Sequence, residues 1–289
     1  MGNPTTMCKK GQIIWLASYP KSGNTWLRIL LSNYLNEEND LPVDINKINA
    51  SIISSSRTVF DDQLPFLSSD LTYEEIDNLR PQAYQAISNE SEVYQFIKTH
   101  DANTKNENNS LIFPLSATRA LIHIVRNPLD VAISFAHHSN ISIDKSIEHL
   151  NNTDYALSCK KTLLNNQLRQ KLLSWSKHYQ SWKQFEGPKL LIRYEDLIED
   201  TETTFQKILK FLYQDINEKK LKQAVKYSSF DYLKDQESST TFKEKPLKAK
   251  NFFRKGVSGA WKEELNEKQI KCIRENHLDA MKELGYLNN

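Results

Sequence analysis

The sequence is poor in cysteine, in glycine and in net charge, and each shortage excludes something. Three cysteines, Cys8, Cys159 and Cys272, lie far apart in 289 residues. Their spacing matches neither a zinc site nor a disulfide framework, so a reducing, cytoplasmic location fits best. The net charge is only +2. No strong field draws the chain onto nucleic acid or an anionic membrane, so neither partner is expected, and any anion must be recognised locally. Long apolar runs are missing too, since none reaches the roughly 18 residues of a membrane span. Ile13 to Ala17, which follows the first lysines, is too short for a signal core. Gly2 and Thr6 loosely match a myristoylation pattern, but Pro4 interrupts it and no second anchor accompanies it. Residues 1–11 are expected to be a flexible N-terminus. With seven glycines in all, each one that falls in a motif carries weight.

Hydrophobic residues make up 39% and charged residues 26%, a globular composition on the polar side. No repeat or linker divides the chain, which reads as one domain, 1–289. Ile13-Ile14-Trp15-Leu16-Ala17 is a continuous apolar run, the pattern of a buried parallel strand. After a turn, Leu27, Leu30, Leu31 and Tyr34 recur on one helical face. Residues 36–70 are polar and read as an insertion or a mobile segment rather than core. Leu71 to Ile87 looks helical, Val93 to Thr99 and Ala120 to Val125 read as strands, and Pro128 stands at the first turn of a helix. A long helix is expected over Lys160 to Phe185, with Trp175 and Trp182 in the core. A strand at Leu190 to Arg193 follows, then helices over Thr201 to Leu212, Glu218 to Tyr227 and Glu267 to Leu284. Lys234 to Asn251 reads as a loop. Strands alternating with helices give an α/β fold, a three-layer domain with a central parallel sheet.

Three segments carry chemistry. Tyr19-Pro20-Lys21-Ser22-Gly23-Asn24-Thr25-Trp26 runs from a strand end into a helix start, where free N–H groups and the dipole favour an anion. Lys21 adds charge, Ser22 and Thr25 add hydroxyls, and Gly23 permits close approach. The loop is P-loop-like in placement but lacks the Walker A spacing. An ordinary turn with a solvated lysine is the alternative. Next, Arg126 ends a strand, with Ser134 about two helical turns beyond it. A guanidinium fork plus a hydroxyl suits a phosphate monoester. The alternative is an Arg126–Asp130 ion pair at the helix start. Finally, Arg254-Lys255-Gly256 joins two cations to an accessible N–H, the ingredients of an anion nest, or else a solvated basic run. His100, in Lys98-Thr99-His100, ends a strand and enters a polar loop. Imidazole is a competent base near neutral pH, although a lone histidine is more often structural. His137 and His138 are adjacent and read as non-catalytic, with one available to line a pocket. No second ligand cluster accompanies these histidines, so no metal is expected.

In this order the segments resemble the cytosolic-type sulfotransferases, which use PAPS (3′-phosphoadenosine-5′-phosphosulfate) and release PAP. The resemblance spans residues 19–262. It implies that Lys21, Ser22, Gly23, Asn24 and Thr25 surround the 5′-phosphosulfate, with Trp26 against the adenine. It assigns Arg126, Ser134, Arg254, Lys255 and Gly256 to the 3′-phosphate. Tyr194 and Ser228 would contact the adenine and Phe230 would stack on it. His100 becomes the general base, with Lys98 and Lys21 stabilising charge, and the acceptor a small molecule with a hydroxyl or amine. Asn24 departs from the usual threonine, Ser228 also replaces a threonine, and Ala260 replaces a position that is often acidic or polar. The Lys-x-x-x-Thr-Val-x-x-x-Glu dimer motif of many animal members is not present, so their dimer is not implied. An ATP- and magnesium-dependent kinase and a catalytically silent nucleotide-binding protein are the alternatives. Against the kinase stand the loop spacing and the lack of a strand-end carboxylate.

Overall fold

The computed structural model describes residues 12–37, 41–48, 52–160, 163–213, 215–240, 242–245, 252–253 and 256–287. The expected flexible N-terminus, 1–11, lies outside them, as do Arg254 and Lys255. The chain begins β1 (Ile13–Ser18), α1 (Asn24–Leu35), β2 (Ile52–Ile53), α2 (Arg57–Asp61), α3 (Tyr73–Glu90), β3 (Gln95–Thr99) and β4 (Thr118–Val125). It continues α4 (Pro128–Ser139), α5 (Ile143–Asn151), β5 (Ala156–Leu157), β6 (Gln170–Lys171), α6 (Trp175–Lys183) and β7 (Lys189–Arg193). Six helices close it: α7 (Tyr194–Glu199), α8 (Thr201–Leu212), α9 (Glu218–Tyr227), α10 (Phe230–Ser239), α11 (Trp261–Glu264) and α12 (Glu267–Glu283).

Five strands form one parallel sheet in the order β2-β3-β1-β4-β7. Every residue of β1 is buried, because helices cover both faces of the sheet. Its side chains alternate between two layers. Ile14 and Leu16 pack with α1, α8 and α9 through Leu27, Leu30, Phe205 and Leu221. Ile13, Trp15 and Ala17 pack against Tyr84, Trp182 and Phe185. Since all five strands run one way, the loops after β1, β3, β4 and β7 emerge at one edge. β1 has β3 on one side and β4 on the other, so the chain reverses its winding at β1. A crevice at the carboxyl ends of the strands follows from that reversal.

The expected elements are present, with three corrections. No long helix fills 160–185. Among the described residues of that span only α6 forms, begun by Ser174, whose side chain accepts from the Lys177 N–H. The Leu168–Leu172 spacing mimics a helix, but β6 pairs antiparallel with β5 and Leu173 takes a positive φ of 61°. Nor is 234–239 a loop: α10 runs through it, anchored by the buried Leu233. The presumed insertion at 36–70 supplies the edge strand β2 and the buried Ile45, Ile48 and Phe60. Its core residues are too widely spaced for any periodic pattern.

Candidate active site

The Lys21 loop is shaped by two left-handed residues, Lys21 at φ 71° and Gly23 at φ 100°. Gly23 is required there twice over, because a Cβ would also meet the Tyr194 ring at 2.6 Å. The Ser22 N–H donates to the Tyr19 carbonyl at 3.3 Å, closing the turn. Asn24 turns inward: its amide donates to the Leu16 carbonyl at 2.8 Å and to Ser18 Oγ at 3.2 Å. This fastens the start of α1 to the end of β1. The Ser22 side chain is fully buried.

A cavity of about 410 Å³ opens at this edge, lined by Lys21, His100, Arg126, Ser134, Phe230 and Gly256 among others. Stretches distant in sequence meet in it because each follows a parallel strand or folds back over the sheet edge. Gly23, Asn24, Thr25, Trp26 and Tyr194 share its walls. Ser22, Lys98 and Ser228 do not. Ser228 is buried, its hydroxyl accepting from the Asn33 amide at 3.1 Å and its carbonyl from Trp26 Nε1 at 2.8 Å. It therefore orients Trp26.

His100 has a defined tautomer. Its Nδ1 lies 2.8 Å from the Ser18 carbonyl, which can only accept, so Nδ1 carries the proton. The lone pair is left on Nε2. Burial, then the nearby Lys98 charge, push its pKa well below the ordinary 6.5. The imidazole is thus an unprotonated base at neutral pH. Residues that the sequence did not single out hold it. His178 Nε2 lies 3.1 Å from the His100 carbonyl, and Trp182 Nε1 donates to the Asp101 carbonyl at 2.9 Å. The Asp101 carboxylate takes two bonds of 2.9 Å from the buried Arg80. Trp182 is indeed core, but it also positions this turn.

The cations are unusual. Burial first, then mutual repulsion with Lys98 and Arg126, lowers Lys21 from 10.5 to about 8. Burial likewise lowers Lys98 to about 8. The Lys21 ammonium lies 3.3 Å from His138 Nδ1 and 4.6 Å from the Phe252 ring centre. His138, held at about 4 by burial and by Lys21, is neutral and accepts that bond. Arg126 does not pair with Asp130. Its Nη1 donates to the Lys21 carbonyl and its Nη2 to the Val257 carbonyl, both at 3.1 Å, while the guanidinium lies 4.3 Å from the Tyr194 ring centre. Asp130 instead accepts from the Gly259 N–H at 2.8 Å and the Trp261 N–H at 3.1 Å. That carboxylate pins the C-terminal turn over the cavity, a task the Ala260 side chain has no group to perform. Gly256, at φ 59°, lies so close to Phe230 that a Cβ would clash at 2.2 Å.

Sequence reading also missed Arg28 and Glu244. Arg28 follows Thr25 by three residues, on the same face of α1, so helical spacing could have found it. No pattern links Glu244 to α1 or β3.

A family profile described as a sulfotransferase domain matches residues 12–285. This chain belongs to the sulfotransferase family. With that family it is a PAPS-dependent sulfotransferase, moving a sulfonate group from PAPS. Among its relatives, sulfotransferase 1B1 of Canis lupus familiaris is 26% identical over 261 residues, covering 86% of this chain and 76% of the relative. Sulfotransferase 1 family member D1 of Rattus norvegicus is 26% identical over 279 residues, covering 93% and 83%. Mouse sulfotransferase SULT7A1 complexed with PAP superposes with a TM-score of 0.59 at 21% identity, over 94% of this sulfotransferase and 85% of that chain. Retinol dehydratase in complex with androsterone and PAP gives 0.61 at 20% identity, over 94% and 81%. These likenesses establish the fold. Among the described residues, no helix is long and apolar enough to cross a membrane.

Proposed function

We propose that this sulfotransferase moves the sulfonate of PAPS onto the hydroxyl or amine of a small-molecule acceptor, with His100 as general base. The observation that carries this is the convergence of His100, Lys21 and Arg126 on one cavity. The phosphosulfate lies on the P-loop-like turn, against the N–H groups at the start of α1 and the Lys21 charge. The adenine fits between Trp26 and Phe230, beside Tyr194. The 3′-phosphate meets Arg126, Ser134 and the Gly256 N–H, with Arg254 and Lys255 completing the set.

The acceptor oxygen or nitrogen attacks sulfur while its proton passes to His100 Nε2. The bond between sulfur and the bridging phosphate oxygen breaks, and that oxygen keeps the electron pair as PAP leaves. Lys98 and Lys21 neutralise the charge that develops on the sulfonate and the leaving phosphate. A sulfonate carries less charge than a phosphoryl group, so these cations serve where a kinase needs magnesium. Holding both partners in line supplies much of the acceleration. Phe135, Leu157 and Phe252 give the cavity apolar walls that suit an aromatic or aliphatic acceptor. One PAP-bound neighbour holds androsterone. The whole chain acts as one domain, and its widely spaced cysteines fit the cytoplasm.

An acceptor screen with labelled PAPS, reading PAP release, tests the assignment. Turnover of at least one hydroxyl or amine compound is expected. Transfer from ATP instead, dependent on magnesium, would establish the kinase alternative. Binding of PAP with no transfer to any acceptor would leave a silent nucleotide-binding protein.

A further inference from the structure

Glu244 places a carboxylate among the cations that a sulfonate would use. Its oxygens lie 2.8 and 3.1 Å from Arg28 Nη1. One of them also accepts from Thr25 Oγ1 at 3.4 Å and lies 3.7 Å from Lys98 Nζ. Arg28 is buried and Glu244 faces the cavity shared by Lys21, His100 and Arg126. The segment that carries it is seated. Phe242 is buried, and the Lys243 N–H donates to Asn46 Oδ1 at 2.7 Å.

The Thr25 hydroxyl has a single proton, so it cannot donate to Glu244 and to a second anion at once. Thr25 and Lys98 are the groups that the donor reading gives to the phosphosulfate end, and Glu244 already engages both. Burial opposes ionisation of Glu244, but Lys98 and Arg28 outweigh it and keep the carboxyl below the usual carboxylate range. The group is therefore charged at neutral pH and repels an arriving sulfonate at short range. We infer that Glu244 sets donor affinity by competing with the phosphosulfate for Arg28, Thr25 and Lys98, which makes Arg28 a further donor-binding residue. Donor binding then exchanges one anion for another at a cradle that is never left uncompensated. This rests on PAPS occupying the cavity.

Calorimetric titration of the unmodified enzyme and Glu244→Gln tests the competition, with PAPS and with adenosine 3′-monophosphate, which has no phosphosulfate end. Glutamine keeps the shape and removes the charge. PAPS is expected to bind Glu244→Gln about tenfold tighter, the scale of one charge-assisted bond no longer contested. The affinity for adenosine 3′-monophosphate should move by less than about twofold, because a screened, distant charge does little. Unchanged or weaker PAPS binding would show that Glu244 orients the cations and does not compete, and would overturn the inference. So would an equal gain for both nucleotides, the mark of a general charge effect. If Glu244→Gln does not fold, Glu244→Asp, which withdraws the carboxylate by one methylene, is expected to bind PAPS about threefold tighter. No gain in that variant also overturns it. Failure of the unmodified protein to bind PAPS would remove the donor reading itself, and this inference with it.

Discussion

At the scale of single residues, the proposed base and the lysines act in opposite protonation states. His100→Ala is expected to lower turnover about 10²–10⁴-fold, as loss of a general base does, while PAP affinity stays near that of the unmodified enzyme. Single-turnover rates beside PAP titrations check this. His100 is already neutral at pH 7, its pKa held well below 6.5 by burial. Lys21 and Lys98, both lowered to about 8, lose charge as pH rises through that value. PAP affinity is accordingly expected to fall from about pH 7 to about pH 9.5, with proton uptake on binding above pH 8. Calorimetry in buffers of different ionisation enthalpy measures that uptake. For the free protein the sign reverses. Unfolded lysines stay protonated up to about 10.4, so between pH 8 and that value the unfolded chain binds more protons and folding gains stability as pH rises. His100 and Lys21 were legible because their residue types and strand-end positions point to chemistry. Glu244, His178 and the Arg80–Asp101 pair were not, since each acts through neighbours brought by the fold.

At the scale of elements, α4 governs the turn over the cavity. Its Asp130 accepts from the Gly259 and Trp261 N–H groups, and the same turn gives its Val257 carbonyl to Arg126. Asp130→Ala leaves two donors without their acceptor. A loss of about 1–3 kcal/mol of stability is expected, together with weaker PAP binding. Thermal melts with and without PAP check both, and a variant with normal affinity would detach this turn from the donor site. Strands were easier to read than the helices around them. β1 is buried at every residue and opens as a continuous apolar run, and β4 is apolar over Ala120–Val125 apart from the buried His123. The stretch from Leu168 to Leu172 offers helical spacing that pairing of Gln170 and Lys171 with β5 overrides. The two-residue strand β2 is too short to show any period.

At the scale of the molecule, the proposed donor site requires the C-terminal basic segment to return over a nucleotide held at the N-terminal loop. If Arg126 and Arg254 both reach the 3′-phosphate, PAP should bind at least roughly a hundredfold tighter than AMP. Arg254→Ala should erase much of that preference and barely change AMP binding. Equal affinities for PAP and AMP, measured at fixed salt, would remove both basic segments from the donor site. Turnover is also expected to persist in a chelator, since Lys21, Lys98, Arg28 and Arg126 supply the positive charge. Loss of activity that magnesium restores would count against this.

The sequence by itself determined the alternation of strand and helix, the strand-to-helix turn at Lys21 and the family. These are local facts: a buried strand, a glycine that must adopt positive φ and a proline at a helix start are written in neighbouring residues. Only the tertiary structure decided which tautomer His100 holds, that Asp130 belongs to the C-terminal turn and not to Arg126, and that Glu244 meets Thr25, Arg28 and Lys98. Those pairings join residues between 82 and 219 positions apart in the chain. Parallel strands deliver their loops to one edge whatever their separation in sequence, so no spacing rule encodes such contacts.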